Sequence, residues 1–405
     1  MATILSSAAS LSQSQQPDID YHPDEAKWRA RTARRLADNL SLLDTPLPAG
    51  FPDTLTGPLV WEGKDWKDES EWVYTLCSEE LMEIDKAVQY FEDLNLQMYQ
   101  ISPSTFPLPT LGPVLQKLSS SHLHDPSTAR GFVVIRSIPV ATYTRFQNLA
   151  IYAGISVYIA PTRALQDPGT GGVVGHITDL RETFESSLLG AASYTNESQP
   201  FHSDPGDVVA LFCLEVAGGG GGGSKLASSW RVYNELAKTR PDLLGVLAGE
   251  FPLEMFNRTP PYRMRSMLFH HDGKIIIQNA RRLCTGYMGL PRSKDIPPIT
   301  EAQAEALDAL HFLAEKYHLK LNFQKGDIQY VNNLCMFHAR DEFLDTSEKR
   351  RHLVRIWLRN DELGWKVPPP LVKRWEALYD AIPLEKQKFP LEPELRSASR
   401  GHTSK

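Results

Sequence analysis

The stretch His202-Ser203-Asp204-Pro205-Gly206-Asp207-Val208-Val209-Ala210-Leu211-Phe212-Cys213-Leu214-Glu215-Val216 decides how this chain is read. Its second half is a near-continuous apolar run, which predicts a buried strand over 207–217. Its first half sets an imidazole and a carboxylate two residues apart. On extended backbone, residues i and i+2 share a face, so His202 and Asp204 point the same way, about 6–7 Å apart along the backbone. A buried strand end is the rigid support that a metal site needs. One more imidazole would complete the two-histidine, one-carboxylate face that holds Fe(II) and leaves other positions open. His338, after Leu334-Cys335-Met336-Phe337, is the candidate.

An H-x-[DE] pattern is short. With 12 histidines and 49 acidic residues in the chain, roughly one or two are expected by chance. Three occur. His22/Asp24 surrounds Pro23 in a polar region, and His270/Asp272 runs into Gly273, where turn chemistry accounts for the aspartate. Only His202/Asp204 leads into an apolar strand. Alone, His338 would read as a buried core histidine; the sequence Arg351-His352-Leu353-Val354-Arg355-Ile356-Trp357-Leu358 changes that balance. Alternation puts Arg351, Leu353, Arg355 and Trp357 on one face and His352, Val354, Ile356 and Leu358 on the other, so both faces are covered. A guanidinium facing an interior is costly without a partner, and its planar fork matches a carboxylate. Arg351 and Arg355 therefore suggest a site for a dicarboxylate and a second anion beside the metal. Internal salt bridges are the alternative.

The chain has 405 residues, 41% hydrophobic and 23% charged, enough for a large core. That length allows two or three domains, although β-rich barrels reach this size as one. A net charge of −6 argues against nucleic acid or an anionic membrane surface as a partner. No apolar stretch reaches the ~18–20 residues needed to span a bilayer. A small-molecule substrate is expected, with a homo-oligomer as an open possibility. Of the four cysteines, Cys77, Cys213, Cys284 and Cys335, none forms a C-x-x-C pair and three sit among apolar neighbours. They read as buried free thiols in a reducing compartment. The N-terminus lacks the basic start and long apolar run of a secretory signal. A cytoplasmic location is expected, with the Ser-rich, acid-free start to Gln16 keeping a mitochondrial leader open.

Residues 1–20 read as disordered. Helices are predicted over 24–43, with Arg29 to Arg35 as a solvated face, and over 79–94 with Ser78 as N-cap. Further helices follow over 229–239, from Pro241 onward, and over 301–317, where Thr300 and Gln303 make a capping box. Strands are predicted over 131–135, 328–331, 334–338 and 352–358, and a hairpin over 268–280 turning at Asp272-Gly273. The expected division is an N-terminal tail and helix (1–50), a helical region packed on the core (51–130), the core with a helical insertion (131–360) and a C-terminal extension (361–405), polar and loose beyond about 390. Many short strands with helices at the start and in one insertion predict a mainly β core with helical decoration, an α+β chain. Gly218 to Gly223 satisfies G-x-G-x-x-G between a strand and a helix, but six glycines satisfy any glycine pattern. The order Gly223-Ser224-Lys225 also fails the phosphate-loop motif. A flexible turn is the better reading.

Taken together, His202-Ser203-Asp204, the Gly-Gly-x-Ser of Gly221 to Ser224, His338-Ala339-Arg340, the tract Gly326-Asp327-Ile328-Gln329-Tyr330-Val331-Asn332-Asn333 and the Arg351/Arg355 pair resemble the TauD/TfdA family of Fe(II)- and 2-oxoglutarate-dependent oxygenases. The likeness runs from Leu47 to Arg359 and is greatest to fungal, clavaminate-synthase-like members. The resemblance implies a double-stranded β-helix, or jelly roll, with His202, Asp204 and His338 on iron. It implies Arg351 on the distal carboxylate of 2-oxoglutarate and Ser224 assisting where relatives often have threonine. It implies Arg355 as a second arginine facing an acidic group of the substrate. The glycine run is longer than is usual in the family, which leaves the register of Ser224 open. Fe(II), 2-oxoglutarate and O2 are then the cofactor and co-substrates, with succinate and CO2 released as an unactivated C–H bond is hydroxylated, desaturated or closed into a ring. A small anionic, amino-acid-like substrate is expected, with Tyr194, at the end of the variable stretch from His176, as a pocket residue. An intact Asp204 argues against a halogenase. A zinc hydrolase or a non-catalytic jelly-roll binding module would lack a reason for the full set.

Overall fold

The computed structural model describes residues 15–256 and 258–396. In chain order its strands are β1 (Val73–Thr75), β2 (Phe132–Arg136), β3 (Thr162–Arg163), β4 (Val174–Thr178), β5 (Gln199–His202), β6 (Val208–Glu215), β7 (Ser224–Ser228), β8 (Glu250–Glu254), β9 (Tyr262–Ser266), β10 (Leu268–His271), β11 (Lys274–Ile277), β12 (Leu319–Leu321), β13 (Ile328–Asn332), β14 (Met336–Arg340) and β15 (His352–Arg359). The larger sheet has the order β1-β2-β13-β6-β15-β3, with β4 also paired to β15. The smaller has the order β12-β7-β14-β5. Two short hairpins, β8–β9 and β10–β11, stand apart.

Period-two alternation places the core. Val209, Leu211 and Cys213 of β6, with Leu353 and Trp357 of β15, share one apolar cluster with Phe201 of β5 and Leu226 of β7. That cluster lies between the two sheets, as in a jelly roll. The alternate residues Val208, Ala210, Phe212, Val354, Ile356 and Leu358 join a second cluster under helices, with Leu149, Ile151 and Ile155. Both faces of the central strands are thus covered, as the Arg351–Leu358 pattern requires.

The helices Ser229–Thr239, Pro241–Ala248 and Glu301–Tyr317 occur where predicted, the last with the Thr300/Gln303 capping box formed. The first helix ends earlier than expected, at Asp38, and passes into a short 3-10 turn over Leu40–Asp44. Cys77, not Ser78, caps the helix Ser78–Asp93, because the Glu80 carboxylate reaches back to the Cys77 N–H at 2.9 Å.

Three expectations need correction. Arg29 to Arg35 is not simply a solvated face: Arg31 is buried and ion-paired to Glu301 and Asp308, and Arg35 pairs with Glu305. Within residues 15–20, Pro17 and Ile19 are buried and the Gln16 amide donates to the Cys284 carbonyl at 3.1 Å, so this part of the predicted disordered segment is docked. Residues 1–14, and with them most of the leader question, lie outside the described residues. The C-terminal segment also folds back. Lys388 bridges to Gly172, the Pro390 carbonyl meets His176 Nε2 at 2.9 Å, and Leu395 is buried. The four cysteines are free as expected, and Cys213, Cys284 and Cys335 are buried, but Cys77, also read as buried, is exposed because it caps a surface helix. No described helix is long and apolar enough to cross a membrane.

Candidate active site

Strand pairing brings the two histidines together. His338 of β14 lies directly opposite His202 of β5, and their ring centroids are 4.1 Å apart. Asp204 follows two residues past the end of β5. Asn333 clamps it there: its Oδ1 accepts the Asp204 N–H at 2.9 Å, and its Nδ2 donates to the carbonyls of Asp204 and Gly206. His202 Nε2 lies 3.8 Å from Asp204 Oδ1, and His338 Nε2 3.8 Å from Asp204 Oδ2. One ligand atom from each of the three residues falls within 4.8 Å of the other two.

These residues can hold a divalent metal ion. His202 Nδ1 lies 3.0 Å from the Pro200 carbonyl, which fixes the proton on Nδ1 and leaves the lone pair on Nε2, where the Gln199 amide now donates at 3.0 Å and a metal ion would take its place. Burial lowers the pKa of both imidazoles, His338 to about 3, so both are neutral as metal ligation requires. Burial alone would raise the Asp204 carboxyl. The Arg355 guanidinium, with the hydrogen bond from the Trp357 indole, instead holds it well below the usual carboxylate range. Both Arg355 Nη1 and Trp357 Nε1 donate to Oδ2, at 2.7 and 3.0 Å. The carboxylate is therefore charged and oriented before any metal arrives.

Arg355 thus faces Asp204. Its Nε and Nη2 also donate to Gln166 Oε1, at 3.2 and 3.0 Å, leaving it compensated. Gln166 Oε1 accepts a further bond from Arg396 Nη1 at 3.3 Å, and Arg396 Nε donates to the Tyr194 hydroxyl at 3.1 Å. Tyr194 is fully buried, packed with Leu180, Leu189 and Leu395. The C-terminal segment therefore reaches the site through Arg396. Gln166 and Arg396 carry no sequence signal, because each meets the site through a contact between distant parts of the chain; alternation sets Trp357 on the Arg355 face and Asn333 stands in the family-like tract, but the bonds of both to Asp204 are equally non-local.

Arg351 is different. It is 5% exposed, its Nη1 has no partner, and its Nη2 makes only a 3.4 Å contact to the Gly222 carbonyl. Burial, with help from nearby Arg340, lowers its pKa to about 9. Arg340 has its own unpartnered Nε and Nη1, and both guanidiniums lie over the Phe343 ring. Ser224 is buried at the start of β7, with its hydroxyl donating to Gln329 Oε1 at 3.0 Å, and Gln329 Nε2 is also unpartnered. Unmade buried donors of this kind call for an acceptor. Their number and charge fit a carboxylate. The glycine run makes the turn before β7, with Gly220, Gly221 and Gly222 at positive φ. A Cβ on Gly222 would sit 2.7 Å from Arg351 Nε, so glycine lets the arginine stem pass across the backbone.

Comparison with known proteins agrees with this geometry. The family model "Taurine catabolism dioxygenase TauD, TfdA family" matches residues 92–357. The chain is 37% identical over 364 residues to a taurine hydroxylase-like protein, SAT17, of Stachybotrys chartarum, covering 87% of this chain and 91% of that protein. It is 26% identical to the FR-33289 synthase of Streptomyces rubellomurinus, covering 79% and 95%. Among solved structures, an asparagine oxygenase complexed with Fe(II), hydroxyasparagine and succinate superposes with a TM-score of 0.52 at 16% identity, covering 71% of this chain and 94% of that one. The non-heme iron oxygenase OrfP, complexed with iron, succinate and hydroxyarginine, gives 0.52 at 12% identity over the same shares. With its jelly-roll fold and a histidine–aspartate–histidine cluster fit for iron, the chain belongs to the TauD/TfdA family and is a non-haem iron, 2-oxoglutarate-dependent dioxygenase.

Proposed function

We propose that this enzyme oxidises an unactivated C–H bond of a small, anionic, amino-acid-like substrate, by hydroxylation, desaturation or ring closure. His202, Asp204 and His338 hold the iron, and Arg351, backed by Ser224, takes the distal carboxylate of 2-oxoglutarate. The observation that carries this reading is the joint placement of a neutral–anionic–neutral ligand set and a buried guanidinium lacking a carboxylate partner. Iron and 2-oxoglutarate, when bound there, would supply the oxidising chemistry, with succinate and CO2 as the co-products. The chain supplies position and electrostatics. Arg355 and Trp357 keep Asp204 ionised and aimed, and the Pro200 carbonyl keeps His202 in the ligating tautomer. Arg340, with Nη2 on the carbonyls of Ala192, Thr195 and Glu197, holds the chain leading into β5. Tyr194 and Arg355 border the substrate side of the site through the Gln166–Arg396 network. An amino-acid-like substrate is supported by the hydroxyasparagine and hydroxyarginine bound in the structurally similar asparagine oxygenase and non-heme iron oxygenase OrfP.

The test is succinate release by the iron-loaded enzyme across a panel of amino acids and their anionic derivatives. The expected result is stimulation by an anionic member above the substrate-free rate, with loss of mass-balanced product in His338→Ala. Zinc-dependent turnover without oxygen would contradict the reading.

Gly222→Ala tests the co-substrate pocket without removing a charge. The new Cβ overlaps the Arg351 stem, crowds Phe343 Cβ at 3.2 Å and sits at φ +67°. Overpacking of this kind costs about 1–3 kcal/mol, so the KM for 2-oxoglutarate is expected to rise about tenfold or more while iron still binds. An unchanged KM would show that Arg351 is not held by this turn.

A further inference from the structure

We propose that Arg263, Arg265 and Arg374 form a second anion subsite beside the metal-ligand cluster, built to take a doubly charged oxyanion group of the substrate. The inference rests on the function proposed above and names the substrate feature that this enzyme selects.

Arg263 and Arg265 are two residues apart on β9 and share a face, while Met264 between them is exposed. Arg374 lies on the helix Pro369–Tyr379. The three guanidiniums lie near enough to act on one another: Arg263 and Arg374 both push down the Arg265 pKa, and Arg263 pushes down that of Arg374, after the larger effect of burial in each case. Burial also lowers Arg263. Such a cluster is costly unless an anion joins it. The opposite charges that reach it are weak or already engaged: the Cys284 thiol at Arg265, and the Asp204 carboxylate at Arg374. Arg265 is 7% exposed, and among the described residues its one side-chain hydrogen bond runs from Nη2 to the Gln278 carbonyl at 2.9 Å. The Nε atoms of Arg263 and Arg265 are buried without partners.

The cluster also belongs to the site by position. The helix that carries Arg374 packs on the loop that follows Asp204, with Trp375 Nε1 donating to Asp207 Oδ1 at 2.5 Å and the Tyr379 hydroxyl accepting the Asp207 N–H at 3.0 Å, and the Asp204 charge reaches Arg374 through space. From Arg265 a chain of contacts runs through Gln278 to the Asn333 carbonyl, and Asn333 is the residue that clamps Asp204. The neighbouring Asn279 accepts the Ser203 N–H at its carbonyl and donates its own N–H to the Ser203 hydroxyl, at 2.8 Å each. Arg355 is already compensated by Asp204 and Gln166, so this second group is where the cationic capacity beside the ligands remains. Three guanidinium forks exceed what one carboxylate can neutralise, whereas a dianion with three or more oxygens can accept from all of them.

The test titrates sulfate, a dianion, and acetate, a monoanion, into the anaerobic Fe(II) enzyme saturated with 2-oxoglutarate, so that Arg351 is already engaged, and reads binding by calorimetry. Sulfate is expected to bind at least tenfold more tightly than acetate, and Arg374→Gln and Arg263→Gln each to weaken sulfate at least tenfold. Arg374→Lys should recover part of the loss. Arg292→Gln, which alters a guanidinium bonded instead to the Pro252 carbonyl, should leave sulfate unchanged. The visible band of the Fe(II)–2-oxoglutarate complex, read on the same samples, should persist in every variant and confirms that each is folded. Equal sulfate affinity in wild type and both glutamine variants, absence of sulfate binding, or acetate binding as tightly would overturn the subsite. Loss of the band from the wild type would instead overturn the iron reading, while the sulfate titration still decides the subsite.

Discussion

Arg351→Ala is expected to raise the 2-oxoglutarate concentration that half-saturates the enzyme by about a hundredfold or more, with iron binding retained. Arg351 sits in the core with one N–H group unpartnered and one long contact to a carbonyl. Its desolvation is uncompensated in the free enzyme, and its pKa of about 9 records that cost. A carboxylate reaching the guanidinium repays it through two charge-assisted hydrogen bonds. Removing one partner of a buried, hydrogen-bonded charge pair costs about 2–5 kcal/mol, which sets the expected loss. Arg351→Lys keeps the charge but not the fork and should fall between the two. Because the alanine removes an uncompensated charge, the free variant should be at least as stable as the wild type. The checks are a 2-oxoglutarate titration of turnover and thermal unfolding without ligands. An unchanged half-saturation would remove Arg351 from the co-substrate site.

Asp204→Ala is expected to abolish turnover and to destabilise the metal-free protein, whereas His202→Ala abolishes turnover with little effect on the fold. The difference follows from the partners. Asp204 compensates the buried Arg355 and accepts the Trp357 indole, so its loss strands a cation in the core, at a cost of about 3–5 kcal/mol. His202 is a neutral ring whose bonds are to the Pro200 carbonyl and the Gln199 amide, and its removal strands no charge. Thermal unfolding of both apo variants, beside an iron titration of each, separates the two effects. Equal stability of the two variants would show that Arg355 does not depend on Asp204.

Much of this site was legible before any coordinates, for physical reasons. Alternation along Arg351–Leu358 assigns both faces of a strand, and β15 obeys it, with Leu353 and Trp357 in one core and Val354 and Ile356 in the other. Caps and turns are equally local: Thr300 with Gln303 starts a helix, and Asp272-Gly273 turns a hairpin, as observed. What escaped was non-local or without period. The helix Arg145–Ile159 is buried on nearly every side, so it shows no amphipathic stripe. His338 is read from the sequence as the third ligand, and the structure brings it to the cluster, but its register directly opposite His202 depends on pairing strands far apart in sequence, which no local pattern encodes. The same holds for Arg31, which reads as a surface arginine until the Glu301–Tyr317 helix is laid against it. It also holds for Arg396, whose polar surroundings in sequence hide its place beside Gln166 and Tyr194.

All of these results turn on whether His202, Asp204 and His338 share one iron ion that also binds 2-oxoglutarate. The direct measurement is anaerobic addition of Fe(II) and then 2-oxoglutarate to the purified enzyme, followed in the visible range. A metal-to-ligand charge-transfer band should appear in the wild type, need both additions, and be missing from His202→Ala at matched concentrations. A band of full intensity in His202→Ala, or none in wild-type protein shown to have bound both iron and 2-oxoglutarate, would contradict the account.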